Sequence, residues 1–586
     1  MFGKRNRNGG SDEGVILAIV TPALHDVALA GKPQIGQILR RNGSLSAQQL
    51  DAALDVQEHD GRTLGEILVS SGVSGSAVTA ALAEQTDMVT IDLRTIQTVP
   101  EALALVPAAT ARRRNVLPIG FHDGVLDIAI GDPFDTALLD ELAQIPVERI
   151  NLVLADRQPL ADLINLRYSD LDGVSGLVDA YADAGSFVEV QKRRIEVDEA
   201  APVAQVLNKI VGQALRDRAS DVHIEPLDVR LRVRFRIDGA LNEVLSLPVE
   251  MGPPLISRLK ILAEMNIVER RRPQDGQFTT NVDGRDLDVR VATTATIFGE
   301  KAVLRLLDKS RSMRTIQDLG MPEEAYKRYD EATRSPYGMV LVTGPTGSGK
   351  TTTLYATLRQ LNKGESNIMT IEDPVEYVFP GVNQIEINAQ ADVTFATGLK
   401  SILRQDPDIV LVGEVRDQET ARIAIQSALT GHLVLSSLHA IDCTSSLFRL
   451  LDMGIEPFLV TSAVTGVVAQ RLVRKVCSNC AEPHQLDASE LAFYKSFDGP
   501  ADATFMKGKG CTFCSNTGYR ERVGVYEVMS ITEELRQAVV AGASPPDIRD
   551  LAMKLGMRSL RSEALDLVAA GVTTIPEVLR TVHMTA

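Results

Sequence analysis

Residues 344–351 read Gly344-Pro345-Thr346-Gly347-Ser348-Gly349-Lys350-Thr351, and they indicate the fold of the domain that contains them. This stretch fits the pattern GxxxxGK[ST], in which glycines let successive backbone N–H groups converge on phosphate oxygens. The apolar run 339–342 before it predicts a strand, and residues 352–361 after it predict a helix, which is the context the pattern requires. We therefore predict a nucleotide site made of these eight residues and Thr352. In that site Lys350 pairs with phosphate oxygens and the Thr351 hydroxyl ligates Mg²⁺.

Two acidic segments follow predicted strands and are candidate partners of this loop. One is Asp408-Ile409-Val410-Leu411-Val412-Gly413-Glu414, and the other is Ile371-Glu372-Asp373-Pro374-Val375-Glu376 after a strand that begins at Ile368. In a doubly wound sheet both acids lie at the C-terminal edge of the strands, where ligands bind. We expect Glu414 to belong to the metal shell and Glu372 to activate the attacking water. Asp373 and Glu376 fit an ordinary turn and a direct role equally well.

A further strand is bracketed by histidines in the segment Thr430-Gly431-His432-Leu433-Val434-Leu435-Ser436-Ser437-Leu438-His439. A histidine at a strand end is commonly a hydrogen-bonding residue with a structural role. Two histidines that bracket a strand of a nucleotide-binding sheet also fit sensing of the γ-phosphate. Both interpretations stay open for His432, and His439 is taken as the candidate catalytic residue.

Arginine alternates with apolar residues in Val229-Arg230-Leu231-Arg232-Val233-Arg234-Phe235-Arg236. A strand has a period of two, so the four arginines project from one face. The segment fits a solvated sheet face, and it fits contact with phosphate or with a partner equally well.

Four of the five cysteines form two CxxC pairs, Cys477/Cys480 and Cys511/Cys514, with 30 residues between the pairs. This spacing predicts one tetrahedral Zn²⁺ held by four thiolates, which leaves no open position and so favours a structural role. The fifth, Cys443, is predicted to be a small buried residue.

Composition excludes several classes of protein. The chain has 586 residues, 44% hydrophobic and 24% charged, which is enough apolar content for several packed domains and excludes wholesale disorder. A net charge of −16, no Trp and 4% aromatic residues argue against a nucleic-acid partner. The longest apolar stretch near the start, 15–30, is interrupted by proline and charge and is too short for a bilayer span of about 20 residues. We expect a cytoplasmic protein.

Changes in composition and pattern divide the chain into seven segments. A degenerate repeat begins at Gly36 and again at Gly65, and each unit predicts a short helix, a turn and a second helix. The segments are a flexible N-terminus (1–30), an N-terminal domain of repeat helices and a small α/β part (31–170), a linker (171–200), a second domain (201–312), an ATPase-type core (313–475), a tetracysteine insertion (476–520) and a C-terminal helical region (521–586).

In this order, the segments resemble the secretion ATPases that drive type II secretion and type IV pilus assembly. The similarity covers a Walker A stretch (344–351), an aspartate box (371–376), a Walker B stretch (406–417) and a histidine box (430–439). The second domain is similar as well, at 219–226, 234–239, 272–276 and 299–301.

The resemblance implies an α/β multidomain fold, with a RecA-like P-loop core preceded by a PAS-like α+β domain and an N-terminal regulatory domain. It implies a homohexameric ring that hydrolyses ATP with Mg²⁺ and acts on an inner-membrane platform protein, at the inner face of the cytoplasmic membrane. It also implies that arginines of the second domain reach the phosphates, and the candidates by motif position are Arg234, Arg236, Arg290 and Arg305. Retraction-type pilus ATPases lack a tetracysteine insertion, so the resemblance favours assembly over retraction.

The sequence departs from the family at two places. The N-terminal repeat resembles the cyclic di-GMP-binding form, whose units begin Arg-Leu-Gly, but Gln34 and Thr63 stand where the arginines belong. Loss of the guanidinium removes a phosphate contact, which argues against cyclic di-GMP as a ligand while keeping the fold. In the histidine box, residues 440–443 replace a polar Thr-Asn stretch. A regulatory scaffold without catalysis and a DNA-transfer motor of the same superfamily are the alternative functions, and the intact Lys350 and Glu414 count against the first.

Overall fold

The computed structural model describes residues 18–19, 33–60, 62–93, 96, 98–169, 171, 174–183, 201–308 and 314–582. The chain divides into two compact units, Met1–Gly173 and Val174–Ala586. Most of the predicted N-terminal flexible segment, and residues 184–200 of the predicted linker, lie outside the described residues. The remainder of that linker contains a helix, Val174–Asp183.

The first unit begins with the four helices of the repeat, and the two predicted helix–turn–helix units are present. These helices are α1 (Ile35–Arg41), α2 (Ala47–Asp60), α3 (Leu64–Ser70) and α4 (Gly75–Thr86). Helix α3 starts with a capping box, in which the backbone N–H of Glu66 donates to Thr63 Oγ1 and the backbone N–H of Thr63 donates to the Glu66 carboxylate. The side chains of Ile38, Leu39, Ile67 and Leu68 are at most 2% exposed, so the helices share one small core.

A small α/β part completes the first unit. Its strands are β1 (Ala18–Ile19), β2 (Val116–His122), β3 (Val125–Ile130) and β4 (Arg149–Leu154), and its helices are α5 (Pro100–Leu105), α6 (Ala108–Arg114), α7 (Thr136–Leu142) and α8 (Arg157–Arg167). The sheet has the order β1-β4-β3-β2. Beside this sheet, Thr90 forms an isolated parallel bridge with Leu154 of β4.

The second unit begins with an antiparallel α+β domain. Its helices are α9 (Val174–Asp183), α10 (Pro202–Arg216) and α11 (Gly252–Leu262), and its strands are β5 (Asp221–Pro226), β6 (Arg230–Ile237), β7 (Ala240–Pro248), β8 (Gln274–Val282), β9 (Arg285–Thr296) and β10 (Gly299–Asp308). The strand order is β7-β6-β5-β10-β9-β8. Helix α10 has apolar residues at helical spacing, and nine of its residues are buried.

The larger domain of this unit is a mostly parallel sheet with helices between its strands. The strands are β11 (Gly338–Thr343), β12 (Ile368–Glu372), β13 (Val382–Glu386), β14 (Ile409–Val412), β15 (Leu433–Leu438), β16 (Val464–Val476) and β19 (Tyr519–Ser530). The helices are α12 (Glu323–Thr333), α13 (Lys350–Leu361), α14 (Phe395–Ile402), α15 (Gln418–Leu429), α16 (Cys443–Asp452) and α17 (Pro457–Ala463). The order is β13-β12-β14-β15-β11-β16-β19, and every pair is parallel except β16 with β19. Strands β11, β12, β14 and β15 are buried along their whole length, as expected for a sheet covered on both faces.

The segment after β16 contains the cysteine insertion and the C-terminal helices. Its elements are β17 (Ala481–Pro483), α18 (Ala488–Ser496), β18 (Met506–Gly508), α19 (Glu533–Val540), α20 (Pro545–Lys554), α21 (Leu560–Ala569) and α22 (Ile575–Thr581). The predicted helical region therefore begins at Glu533 rather than at 521. Residues 524–529 belong to β19, the edge strand of the large sheet, and are buried in succession because their side chains pack into the cores on its two faces.

Within the described ranges, every helix is too short or too polar to cross a lipid bilayer. The mixed α/β architecture with a P-loop core confirms the predicted fold class.

Candidate active site

The loop between β11 and α13 requires glycine at two positions. Gly344 has φ +151°, and a Cβ there would lie 2.5 Å from Ser348 Oγ and 2.6 Å from Gln470 O. Gly349 has φ +91°, and its Cβ would lie 2.7 Å from Gln470 Nε2. Both are backbone conformations that other residues rarely adopt. The loop therefore lies directly against β16, and the first turn of α13 follows it.

Lys350 is the first residue of α13, and its ammonium folds back over the loop. Its Nζ donates to Gly344 O at 2.9 Å and to Pro345 O at 3.3 Å. Burial lowers the pKa of Lys350, and the negative charge of Glu414 opposes that shift. Thr351 follows on the same turn. The N-terminus of α13 and this ammonium together favour an anion at this point.

A cavity of about 150 Å³ lies in front of the loop and brings together residues that are far apart in sequence. The predicted residues among its lining are Lys350, Thr351, Glu372, Glu414 and His439. The rest of the lining is Leu354, Tyr355, Asp373, Pro374, Glu376, Phe395, Leu411, Gly413 and Ser437. The acids come from the ends of β12 and β14, and the histidine follows β15. The parallel strands thus deliver these side chains to one edge of the sheet, as the doubly wound topology requires.

Two neighbouring side chains, one arginine and one histidine, contact the carboxylate of Glu414. Arg416 Nη2 donates to its Oε1, and His439 Nε2 lies 3.1 Å from its Oε2. Burial raises the pKa of Glu414, but the hydrogen bond and charge of Arg416 and the proximity of His439 outweigh burial and lower it. Arg416 also bonds Asp373 at 3.2 Å, so it ties the two acidic segments together. Glu414 and Thr351 both line the cavity, and a carboxylate together with a hydroxyl is a set of oxygen donors that fits Mg²⁺.

Glu372 is buried at the C-terminal end of β12, with 4% of its surface exposed. Its carboxylate accepts hydrogen bonds from Thr370 Oγ1 at 2.6 Å, from Gln384 Nε2 at 3.1 Å and from the hydroxyl of Tyr355. Tyr355 was missed by the sequence analysis. Its position within α13 is typical of an aromatic residue in a core, and no feature of the sequence indicates that its hydroxyl reaches an acid.

The two histidines have different surroundings. His432 Nδ1 lies 2.9 Å from Ser427 O and 3.3 Å from Thr430 Oγ1, which is a local structural role. His439 is more than half exposed, and it lines the cavity in direct contact with Glu414. The sequence could not separate these two residues, because both stand at the ends of β15.

The predicted arginine face is present on β6, and its residues bond acids of the two neighbouring strands, β5 and β7. Arg232 and Arg234 both pair with Glu225, at 2.9 and 2.8 Å, and Lys301 pairs with the same carboxylate at 2.9 Å. Burial raises the pKa of Glu225, but hydrogen bonds from these three cations outweigh it and hold the pKa at about 2. Arg234 therefore belongs to an ion-pair cluster of the α+β domain, and it does not line the cavity.

The other candidate arginines are placed separately. Arg236 and Arg305 pair with Asp221, at 3.5 and 3.2 Å. Arg290, on β9, lies 3.5 Å from Glu376, which lines the cavity. Of the four candidates, Arg290 is thus the one that the structure brings to the rim of the cavity.

The four cysteines of the insertion come together. Cys477 Sγ lies 3.9 Å from Cys511 Sγ, Cys480 Sγ lies 3.9 Å from Cys514 Sγ, and Cys511 Sγ lies 3.7 Å from Cys514 Sγ. All four sulfur atoms lie within 4.8 Å of one another. Four thiolates at about 2.3 Å from one Zn²⁺ form a tetrahedron whose edges are about 3.8 Å. The residues present therefore fit a tetrahedral zinc site.

Cys443 is fully buried, as predicted. Its Sγ donates to Val467 O at 3.2 Å and to Glu527 O at 3.1 Å. The residue lies at the start of α16 and has no part in the cluster.

Comparison with known proteins places most of the chain. Residues 196–580 match the family described as type II/IV secretion system protein, and residues 86–174 match the MshEN domain. The type IV pilus assembly ATPase PilB of Myxococcus xanthus is 41% identical over 558 residues, which are 93% of this chain and 98% of that protein. The type II secretion system protein E of Xanthomonas campestris pv. campestris is 40% identical over 562 residues, with coverage of 94% and 98%. The type II secretion system protein E of Pseudomonas aeruginosa is 46% identical over 409 residues, with coverage of 70% and 81%.

Proposed function

The chain belongs to the type II/IV secretion system protein family and is an ATPase of type IV pilus assembly or type II secretion, and we propose that it hydrolyses ATP in the cavity in front of Lys350. The observation that carries this proposal is the convergence on one cavity of Lys350, Thr351, Glu372, Glu414 and His439, which come from four separate segments. The N-terminus of α13 and the Lys350 ammonium bind the phosphates. The loop glycines allow the backbone to approach them.

The acids and the histidine divide the remaining work. Glu414 and the Thr351 hydroxyl hold Mg²⁺, which supplies positive charge to the phosphate oxygens when it is bound. Glu372 orients the attacking water and accepts its proton. His439, which bonds Glu414, keeps that carboxylate aimed at the cavity.

The acid substitutions test the site. Glu414→Gln and Glu372→Gln keep the shape of each side chain and remove its charge. We expect kcat to fall at least about 100-fold in both variants. The matched control is Glu365→Gln, the same change at an exposed residue in the loop after α13. A Glu414→Gln variant that hydrolyses ATP as fast as the control refutes the site assignment.

The dependence on Mg²⁺ separates the two roles. A variant that loses a metal partner needs more Mg²⁺ for its residual activity, whereas a variant that loses the water-activating carboxylate keeps the wild-type Mg²⁺ dependence at a lower kcat. We expect the first behaviour for Glu414→Gln and the second for Glu372→Gln. The reverse pattern exchanges the two roles.

The cysteine cluster is proposed to hold one structural Zn²⁺, and the chain is proposed to act as a homohexamer on an inner-membrane platform protein. We place it on the cytoplasmic face of the membrane. Two measurements test the ring. The ATPase activity per chain should rise with protein concentration, and light scattering should give the mass of six chains. Deletion of the gene followed by imaging of surface filaments and assay of secreted proteins separates pilus assembly from secretion.

Gln34 and Thr63 lack the guanidinium that would bind cyclic di-GMP, so we propose no such ligand.

A further inference from the structure

Tyr355 links the phosphate-binding helix to the acidic segment after β12. It lies on α13, five residues after Lys350, and is 4% exposed. Its hydroxyl donates to Glu372 Oε2 and accepts from the backbone N–H of Glu376 at 3.2 Å. One phenol oxygen thus bonds both the side chain of Glu372 and the backbone N–H of Glu376.

The ring of Tyr355 is fixed independently of its hydroxyl. It makes edge contacts with Phe379 and Tyr377, at centroid distances of 5.0 and 6.1 Å. Contacts of this kind stabilise an aromatic ring in one orientation. Phenylalanine at 355 would keep them, so removal of the hydroxyl alone is a clean perturbation.

The two oxygens of Glu372 are held from different sides. Thr370 and Gln384 donate to Oε1. Among the described residues, the hydrogen bond to Oε2 comes from Tyr355. Without it the carboxylate keeps only its hydrogen bonds at Oε1, and the whole group can turn more widely about the Cγ–Cδ bond. A general base must remain within hydrogen-bond reach of the water that it deprotonates, so this freedom is costly for catalysis.

We propose that Tyr355 is a positioning residue for ATP hydrolysis, and this rests on the role proposed above for Glu372. The hydroxyl fixes the direction of the Glu372 carboxylate relative to α13, the helix whose first turn binds the phosphates. Base and phosphate are then held by one rigid element. The tyrosine itself touches neither ATP nor the attacking water.

The competing explanation is that the hydroxyl only packs α13 against the sheet, and the chain offers a matched control for that. Tyr329 is fully buried on α12, and its hydroxyl bonds Thr357 on the opposite side of the same helix α13. The substitution Tyr329→Phe therefore removes a buried phenol hydroxyl that bonds α13, and it leaves the hydrogen bonds of Glu372 intact.

The test compares Tyr355→Phe, Tyr329→Phe and Glu372→Gln in the full chain, by kcat, KM for ATP and thermal midpoint. We expect Tyr355→Phe to lower kcat about tenfold, the loss of one hydrogen bond to a charged group, and to leave KM within about twofold. Tyr329→Phe should keep the wild-type kcat, with a thermal midpoint lowered as much as in Tyr355→Phe. Equal kcat values in the two phenylalanine variants, or a raised KM at unchanged kcat, would overturn the proposal. Wild-type activity in Glu372→Gln would overturn it together with the proposed role of Glu372, whereas loss in Glu372→Gln without loss in Tyr355→Phe overturns the role of Tyr355 alone.

Discussion

Cys511→Ser should release Zn²⁺ and loosen the insertion between β16 and β19. Cys477 and Cys511 are 34 positions apart, so a metal that joins them closes a loop of about that length. Cross-linking a loop of 34 residues removes about 4 kcal/mol of conformational freedom from the unfolded segment at 25 °C, on the same argument that applies to a disulfide. We expect this amount to be lost from the stability of the insertion.

The effect should be local. The insertion meets the C-terminal helices where the Val476 N–H donates to Val572 O at 2.8 Å and the Tyr519 hydroxyl bonds Thr574 at 2.6 Å. The parallel sheet has its own buried core and does not need these contacts. Calorimetry should therefore resolve an early transition in the variant, followed by a main transition close to that of the wild type.

Zinc content and calorimetry check this prediction. The wild-type chain should carry one zinc per chain by atomic absorption, and a strong chelator should produce the same early transition. Cys443→Ser is the control, because Cys443 is buried away from the cluster and its substitution should leave the zinc content at one. A wild-type protein that binds no zinc from a zinc-supplemented buffer, or a Cys511→Ser variant with an unchanged melting profile, would refute the reasoning.

Three further changes have defined outcomes. Burial raises the pKa of Asp217 to about 6, so the folded state loses stability as pH rises from about 4 to 6. The substitution Asp217→Asn should therefore raise the free energy of unfolding by about 2 kcal/mol at pH 7.5 and leave it unchanged at pH 4, which thermal midpoints at the two pH values would show. Gly344→Ala places a methyl group against Ser348 and Gln470 at positive φ, and it should raise KM for ATP more than about tenfold in a steady-state assay, with the chain still folded by circular dichroism. The Glu225 carboxyl has a pKa of about 2 beside three cations, so its contribution to the stability of the fold is present above about pH 4.5 and is lost as pH falls toward 2. The substitution Glu225→Gln should lower the free energy of unfolding by about 2 kcal/mol at pH 7. The difference in stability between the variant and the wild type, followed by thermal midpoint, should become smaller between pH 5 and pH 3.

The nucleotide loop and the cysteine cluster were predictable because their determinants are local. Residues 344–351 must have a fixed spacing whatever surrounds them, since the glycines serve the loop's own backbone. The CxxC pairs likewise place two thiolates each on one turn, and only the meeting of the two pairs depends on the fold. The structure adds to these predictions the contact of the loop with Gln470 and the sulfur–sulfur distances.

The partners of the arginines could not be predicted, because they depend on strand register. Alternation places Arg232 and Arg234 on one face of β6, and the sequence could assign that face to phosphate or to solvent. The hairpin from β5 to β6 pairs Glu225 directly with Arg232 and His223 with Arg234. That register, set by the turn at 227–229, brings the acid under both guanidinium groups. One residue of slip would place the acid on the opposite face.

The charges of the cavity argue that the loop cannot hold a triphosphate without help from other elements. Four of the residues that line the cavity carry carboxylates, and one lining residue, Lys350, carries an ammonium. Like charges a few ångströms apart repel by about 1 kcal/mol each even in bulk water, and by more in a protein cavity, so added phosphates must be balanced by cations. Arg416 already balances Glu414, and Arg290 stands at the rim beside Glu376. We expect bound phosphate to compete with Glu376 for Arg290. Because Arg290 belongs to β9 and Glu376 to the loop after β12, that competition would draw the α+β domain against the P-loop core when ATP binds and release it when phosphate leaves.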